Sequence, residues 1–111
     1  MKSTCTVSIV IPNWNGSHLL EKNLPFVLTA APDAQIIVAD DASSDNSLSL
    51  LREKFPSVTV VSSKKQQGFA GNVNAGVARA SGEIIVLLNT DVRPEKDFLK
   101  FLTARFSDPH V

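Results

Sequence analysis

Tyrosine is absent from this 111-residue sequence, and cysteine, tryptophan and methionine each occur once. A lone Cys5 has no partner for an internal disulfide, so nothing in the fold requires an oxidising compartment, and a reducing cytoplasm is the expected setting. Charge of one sign is lacking too. The 11 Lys and Arg against 11 Asp and Glu leave a formal net charge of +0, which argues against field-driven attraction to nucleic acid or an anionic membrane. The Ile9–Ile11 run stops at Pro12, too early for a signal-peptide core, and no run reaches the roughly 20 apolar residues that cross a bilayer. His18 and His110 have no cysteine or acidic partner at ligand spacing, so both read as surface residues and a zinc-type centre is excluded. What remains, 43% hydrophobic and 20% charged, is the composition of one globular domain spanning 1–111.

Four short apolar runs are present: Val7–Ile11, Gln35–Ala39, Val58–Val61 and Ile84–Leu88. Rich in Ile and Val at consecutive positions, they fit strands buried on both faces of a parallel sheet. Helical patterns separate them. Ser17 to Ala30 places Leu20, Leu24, Val27 and Leu28 on one face, with Pro25 expected to kink or split it. A second helix starts at Asp45 or Asn46, either able to cap it, and ends before Pro56. A third, about Phe69 to Ala80, is built on Ala, Val and Gly, and a fourth starts at Pro94 and carries Phe98, Phe101 and Phe106. The alternation implies an α/β fold: an open, Rossmann-like, mostly parallel sheet of about four βα units.

In such sheets ligands sit beyond the carboxyl ends of the strands, where Pro12–Gly16, Asp40–Asn46, Ser62–Gly71 and Asn89–Arg93 should converge. Trp14 offers a surface for a planar base, against the alternative of a lid on the core; its place at a strand end favours the base. Asp40-Asp41 puts two carboxylates side by side, which is tolerated where donors or ligands satisfy them. At least one is expected to touch ligand, through an imide N–H or a ribose hydroxyl, while Asp45 is read as a helix cap. Gln67-Gly68 to Asn74 opens the third helix with amides suited to an anion, although the Gly-x-x-Gly spacing alone is weak and neither a P-loop nor a dinucleotide fingerprint is present. Asp91, after the fourth strand, suits Mg²⁺ or Mn²⁺ when a diphosphate supplies the remaining oxygens.

Taken in order, Val7 to Gly16, Ile37 to Asp45, Gly68 to Gly76 and Gly82 to Asp91 resemble the family 2 glycosyltransferases over nearly the whole chain. The Leu88-Asn89-Thr90-Asp91 string resembles the rhamnosyl- and galactofuranosyl-type branch. The resemblance implies a GT-A type fold and a nucleotide-diphosphate sugar donor, UDP- or dTDP-linked, bound with a divalent metal for transfer to a saccharide or lipid-linked acceptor. By position, Pro12 and Trp14 match the base-contacting pair, with Asn15 beside them. Asp41 matches the uracil or thymine acceptor with Asp40 adjacent, and Gly68 and Asn74 belong to the motif opening the third helix. Asp91 matches the metal carboxylate, and Asn89 stands where many members have another Asp. Trp14 replaces the more usual Tyr, and Val73 stands where many members carry Arg.

The family's general base lies downstream of the metal motif, so no catalytic residue is assigned here, and the chain is expected to be the donor half of such an enzyme, inactive alone. Exposed apolar residues on the last helix suggest self-association through the open sheet edge. The cytoplasm, at the inner face of the membrane, is the expected location. Two other functions compete: a non-catalytic nucleotide-binding module and a phosphoacceptor receiver-type domain, the second weakened because its acidic pair follows the first strand.

Overall fold

Strands and helices alternate through the computed structural model, which describes residues 6–95 and Phe98: β1 (Val7–Asn13), α1 (Ser17–Ala30), β2 (Gln35–Asp40), α2 (Ser47–Lys54), β3 (Thr59–Ser62), α3 (Gly68–Ala78) and β4 (Ile84–Leu87). All strand pairs are parallel, in the order β3-β2-β1-β4. Pairing of Ile9 with Ile36 and Val86, and of Val38 with Val60, stacks β-branched residues across the sheet. Because successive side chains alternate between faces, Ile9, Ile11, Ile36 and Val38 meet Leu20, Leu24 and Val27 of α1 and Leu50 and Leu51 of α2. Val10, Ile37 and Ala39 point the other way, toward α3. There a Cβ on Gly76 would stand 2.7 Å from Val10 Cγ1 and 3.1 Å from Ala39 Cβ, so glycine is what lets α3 lie against the sheet.

Only the two central strands are buried on both faces. β1 and β2 are almost wholly buried, whereas β4 alternates between half-buried and exposed, with Ile85 and Leu87 open on the α3 side. Pro25 does not split α1, which runs as one helix of 14 residues. Its ring is exposed, and the Glu21 carbonyl that loses a donor belongs to an exposed residue where water can replace it, while Leu24 and Val27 hold the buried side. The fourth helix lies outside the described residues, Phe98 excepted: that residue is helical, half-buried and packed against the core.

The strand order also decides between functions. Receiver-type sheets run 2-1-3-4-5, whereas the observed 3-2-1-4 matches the start of the Rossmann order 3-2-1-4-5-6, so the receiver reading is overturned. In the observed order the chain turns back between β1 and β4, and the switch point opens a crevice at their carboxyl ends.

Candidate functional site

A cleft of about 400 Å³ occupies that crevice. Pro12, Asn13 and Trp14 reach it from the end of β1, Asp41 from the end of β2, and Asn89, Thr90 and Asp91 from the segment after β4. The first turns of α3 supply Gly68, Phe69 and Asn72. The four strand-end segments do converge, and hydrogen bonds between them hold the walls in place.

The adjacent aspartates have separate positions, because neighbouring residues on an extended chain face opposite ways. Asp40 is fully buried. It accepts from Asn13 Nδ2 at 2.8 Å, Ser43 Oγ at 2.6 Å and Ser43 N at 3.0 Å, and it does not line the cleft. Asp41 does line it, and its two oxygens accept the backbone N–H groups of Gln67 at 2.7 Å and Gly68 at 3.0 Å. The anion at the start of α3 is therefore the chain's own carboxylate. Gly68 makes this turn at φ +85° with nothing near its Cβ position, so glycine serves backbone conformation there rather than space.

Asn15 and Asn74 stand apart from the cleft. Asn15, at φ +53°, accepts the backbone N–H groups of Ser44 at 2.7 Å and Asp45 at 3.2 Å, tying the β1–α1 loop to the β2–α2 loop. Asn74 is exposed on α3, whereas Asn72 is buried and lines the cleft. Two residues turn a helix by roughly 200°, so the two asparagines face opposite sides. Asn72 lies one helical turn before Gly76, the residue that contacts the sheet, and so shares its face of α3. Its Nδ2 donates to the Ala39 carbonyl at 2.8 Å, while Asn72 Oδ1 and Asn13 Oδ1 are buried acceptors without a partner among the described residues. Phe69 and Asn13 are further cleft residues beyond those expected.

Asn23, buried in α1, places the acidic end of the cleft. Its Nδ2 donates to the Thr90 carbonyl at 2.8 Å and its Oδ1 accepts from Arg93 Nε at 3.3 Å, while the Arg93 guanidinium lies 4.4 Å from the Phe26 ring centroid. Asp91 is thereby presented exposed at the rim beside Asn89. Among the described residues no group of three or more His, Cys, Asp or Glu is placed to hold a metal ion. One carboxylate with neighbouring amide and hydroxyl oxygens suits a hard cation that brings most of its ligands with it.

Asp45 holds two helix starts at once. The N-cap residues Gly16 and Asn46 make no side-chain cap bond, and Asp45 instead accepts from Ser17 N at 3.1 Å and Ser47 N at 2.9 Å. Burial weighs against its charged form, but the hydrogen bonds from Ser47 and Ser17 outweigh it and lower the pKa. A carboxylate with a lowered folded-state pKa stabilises the fold above its unfolded pKa, and that contribution is lost as pH falls through the folded value. Asp45→Ala should cost about 0.5–2 kcal/mol at neutral pH, with the gap to wild type closing in acid below about pH 4. Urea unfolding at several pH values measures it, and a pH-independent gap would count against the capping role.

The profile of "Glycosyl transferase family 2" matches residues 8–111. An uncharacterized glycosyltransferase of Nostoc sp. is 34% identical over 89 residues, covering 77% of this chain and 28% of its own length. The GalNAc(5)-diNAcBac-PP-undecaprenol beta-1,3-glucosyltransferase of Campylobacter jejuni is 33% identical over 94 residues, with coverage of 77% and 29%. Among solved structures, a mannosyltransferase from Pyrobaculum calidifontis in complex with GDP-Man and Mn²⁺ superposes with a TM-score of 0.88 at 27% identity, over 99% of this chain and 34% of that one. The chain thus spans about a third of the length of the proteins it matches. No helix among the described residues is long and apolar enough to cross a membrane.

Proposed function

The chain belongs to glycosyl transferase family 2, and from that premise we propose that the cleft binds the nucleoside diphosphate of a sugar donor together with Mg²⁺ or Mn²⁺. In this reading 1–111 is the donor half of an enzyme that transfers the sugar to a saccharide or lipid-linked acceptor. One observation carries it: Trp14 and Asp41 line the same cleft as Asn89 and Asp91, so a base end and a cation end share one crevice. Pro12 and Trp14 contact the base. Asp41 accepts an imide N–H, which favours UDP or dTDP; an ionised carboxylate has about four lone-pair sites, and two are taken by Gln67 and Gly68. Asp40 and Asn15 brace the loops around it.

Asp91, with Asn89, would hold the cation, whose charge offsets that of the diphosphate leaving group. The mannosyltransferase bound to GDP-Man and Mn²⁺ supports a divalent metal, and the undecaprenol-linked glucosyltransferase of Campylobacter supports a lipid-linked acceptor. Leu88-Asn89-Thr90-Asp91 favours the rhamnosyl- and galactofuranosyl-type branch. Exposed Ile85 and Leu87 on β4 support self-association through that side of the sheet. A non-catalytic nucleotide-binding module is the second reading, favoured because the two cleft carboxylates among the described residues, Asp41 and Asp91, each serve binding in this reading.

Calorimetry with UDP, dTDP and GDP, each with and without Mn²⁺, tests the proposal. Wild type should bind a pyrimidine diphosphate more tightly with Mn²⁺, and Asp91→Asn should lose that enhancement while keeping metal-free affinity. No binding of any of the three would defeat the reading. An undiminished Mn²⁺ effect in Asp91→Asn would move the cation to another residue.

A further inference from the structure

Phe69 is 64% exposed and Trp14 57%, more than any other large hydrophobic side chain among the described residues. Both line the same cleft, Trp14 from the loop after β1 and Phe69 from the first turn of α3. Phe26, Ile85 and Leu87 are exposed as well, but Phe69 and Trp14 alone among these five line the cleft, where a ligand can cover them. The sheet-facing side of α3 is formed by Asn72 and Gly76, and Phe69, one turn before Asn72, lines the cleft.

The backbone behind this ring is fixed. Gln67 and Gly68, the two residues before it, donate their N–H groups to the Asp41 carboxylate, so the residue assigned to the edge of the base also sets the position of Phe69. Two exposed rings from separate segments and the Asp41 carboxylate, all lining one cleft, match a planar heterocycle that has two π faces and a donor edge. Neither the diphosphate nor the sugar has that combination. Resting on the nucleotide-sugar reading above, we infer that Phe69 covers the second face of the donor's nucleobase, opposite Trp14, and thereby selects for an aromatic base at this end of the cleft.

Base–aromatic stacking lost on alanine substitution corresponds to roughly a 5- to 150-fold loss of affinity. Phe69→Ala and Phe69→Leu should each weaken UDP, dTDP or GDP binding by about tenfold or more, and Phe69→Tyr should restore it. The same variants should bind pyrophosphate with Mn²⁺ as wild type does, since pyrophosphate has no base; this arm also shows that the variants are folded. The single tryptophan gives a direct signal. Nucleotide, but not pyrophosphate, should quench Trp14 fluorescence. Wild-type affinity in Phe69→Leu would overturn the inference while leaving the donor-site reading intact, as would an equal loss of nucleotide and pyrophosphate binding in all three variants. Absence of nucleotide binding by wild type would overturn both.

Discussion

Given UDP-, dTDP- or GDP-linked sugars and a saccharide or lipid-linked acceptor, the 111-residue chain should show no sugar transfer above a buffer control, while binding the nucleoside diphosphate as proposed. Transfer to a hydroxyl needs a base within hydrogen-bond reach of the proton it removes. Among the described residues the cleft contains two carboxylates, Asp41 and Asp91. Both oxygens of Asp41 already accept backbone N–H groups, and Asp91 is the group suited to the cation. Neither is left to activate an acceptor. General-base assistance contributes ~10²–10⁴-fold, and orientation of the two substrates adds further, so a chain lacking both should be too slow to detect. A longer protein containing this chain should restore transfer, measured with radiolabelled donor. Transfer by the chain alone would show that a residue within 1–111 acts as base, and a longer protein that binds donor without transferring it would establish the non-catalytic reading.

Asp41→Ala should lower both nucleotide affinity and stability. The carboxylate pins the start of α3, and without it the N–H groups of Gln67 and Gly68 lose their acceptor, a cost of about 1–3 kcal/mol if water replaces it incompletely. Affinity should fall by roughly tenfold or more with or without Mn²⁺, because the base loses its acceptor and the first turn of α3 loses its anchor. Asp41→Asn should fall between, since it keeps one acceptor oxygen but turns an amide N–H₂ toward a backbone donor. Calorimetry beside urea unfolding reads both effects. Unchanged affinity with reduced stability would make Asp41 a purely structural residue, and unchanged stability would show that the two hydrogen bonds contribute little to the fold.

The pair Asp40-Asp41 illustrates how far the residues alone lead. That two carboxylates end a strand, and that something must satisfy them, was legible; which one meets the cleft was not. The answer depended on where Asn13 and Ser43 lie relative to Gln67 and Gly68, partners 26 to 30 residues apart in most of these contacts. Asn72 and Asn74 pose the same problem within one helix, where the phase against the sheet is set by Gly76. Phe69 fell within a segment expected at the strand ends, but its exposure in the cleft depended on how α3 is set against the sheet.

The residues by themselves determined the α/β class, the four strands, the capping role of Asp45 and the four segments that meet at one edge, because apolar periodicity, capping chemistry and strand–helix alternation are local properties. Only the tertiary structure decided the strand order 3-2-1-4, the difference between central and edge strands, the continuity of α1 through Pro25, and the separation of bracing residues from cleft residues. Those depend on contacts between distant segments, whose close packing settles the direction in which each side chain points.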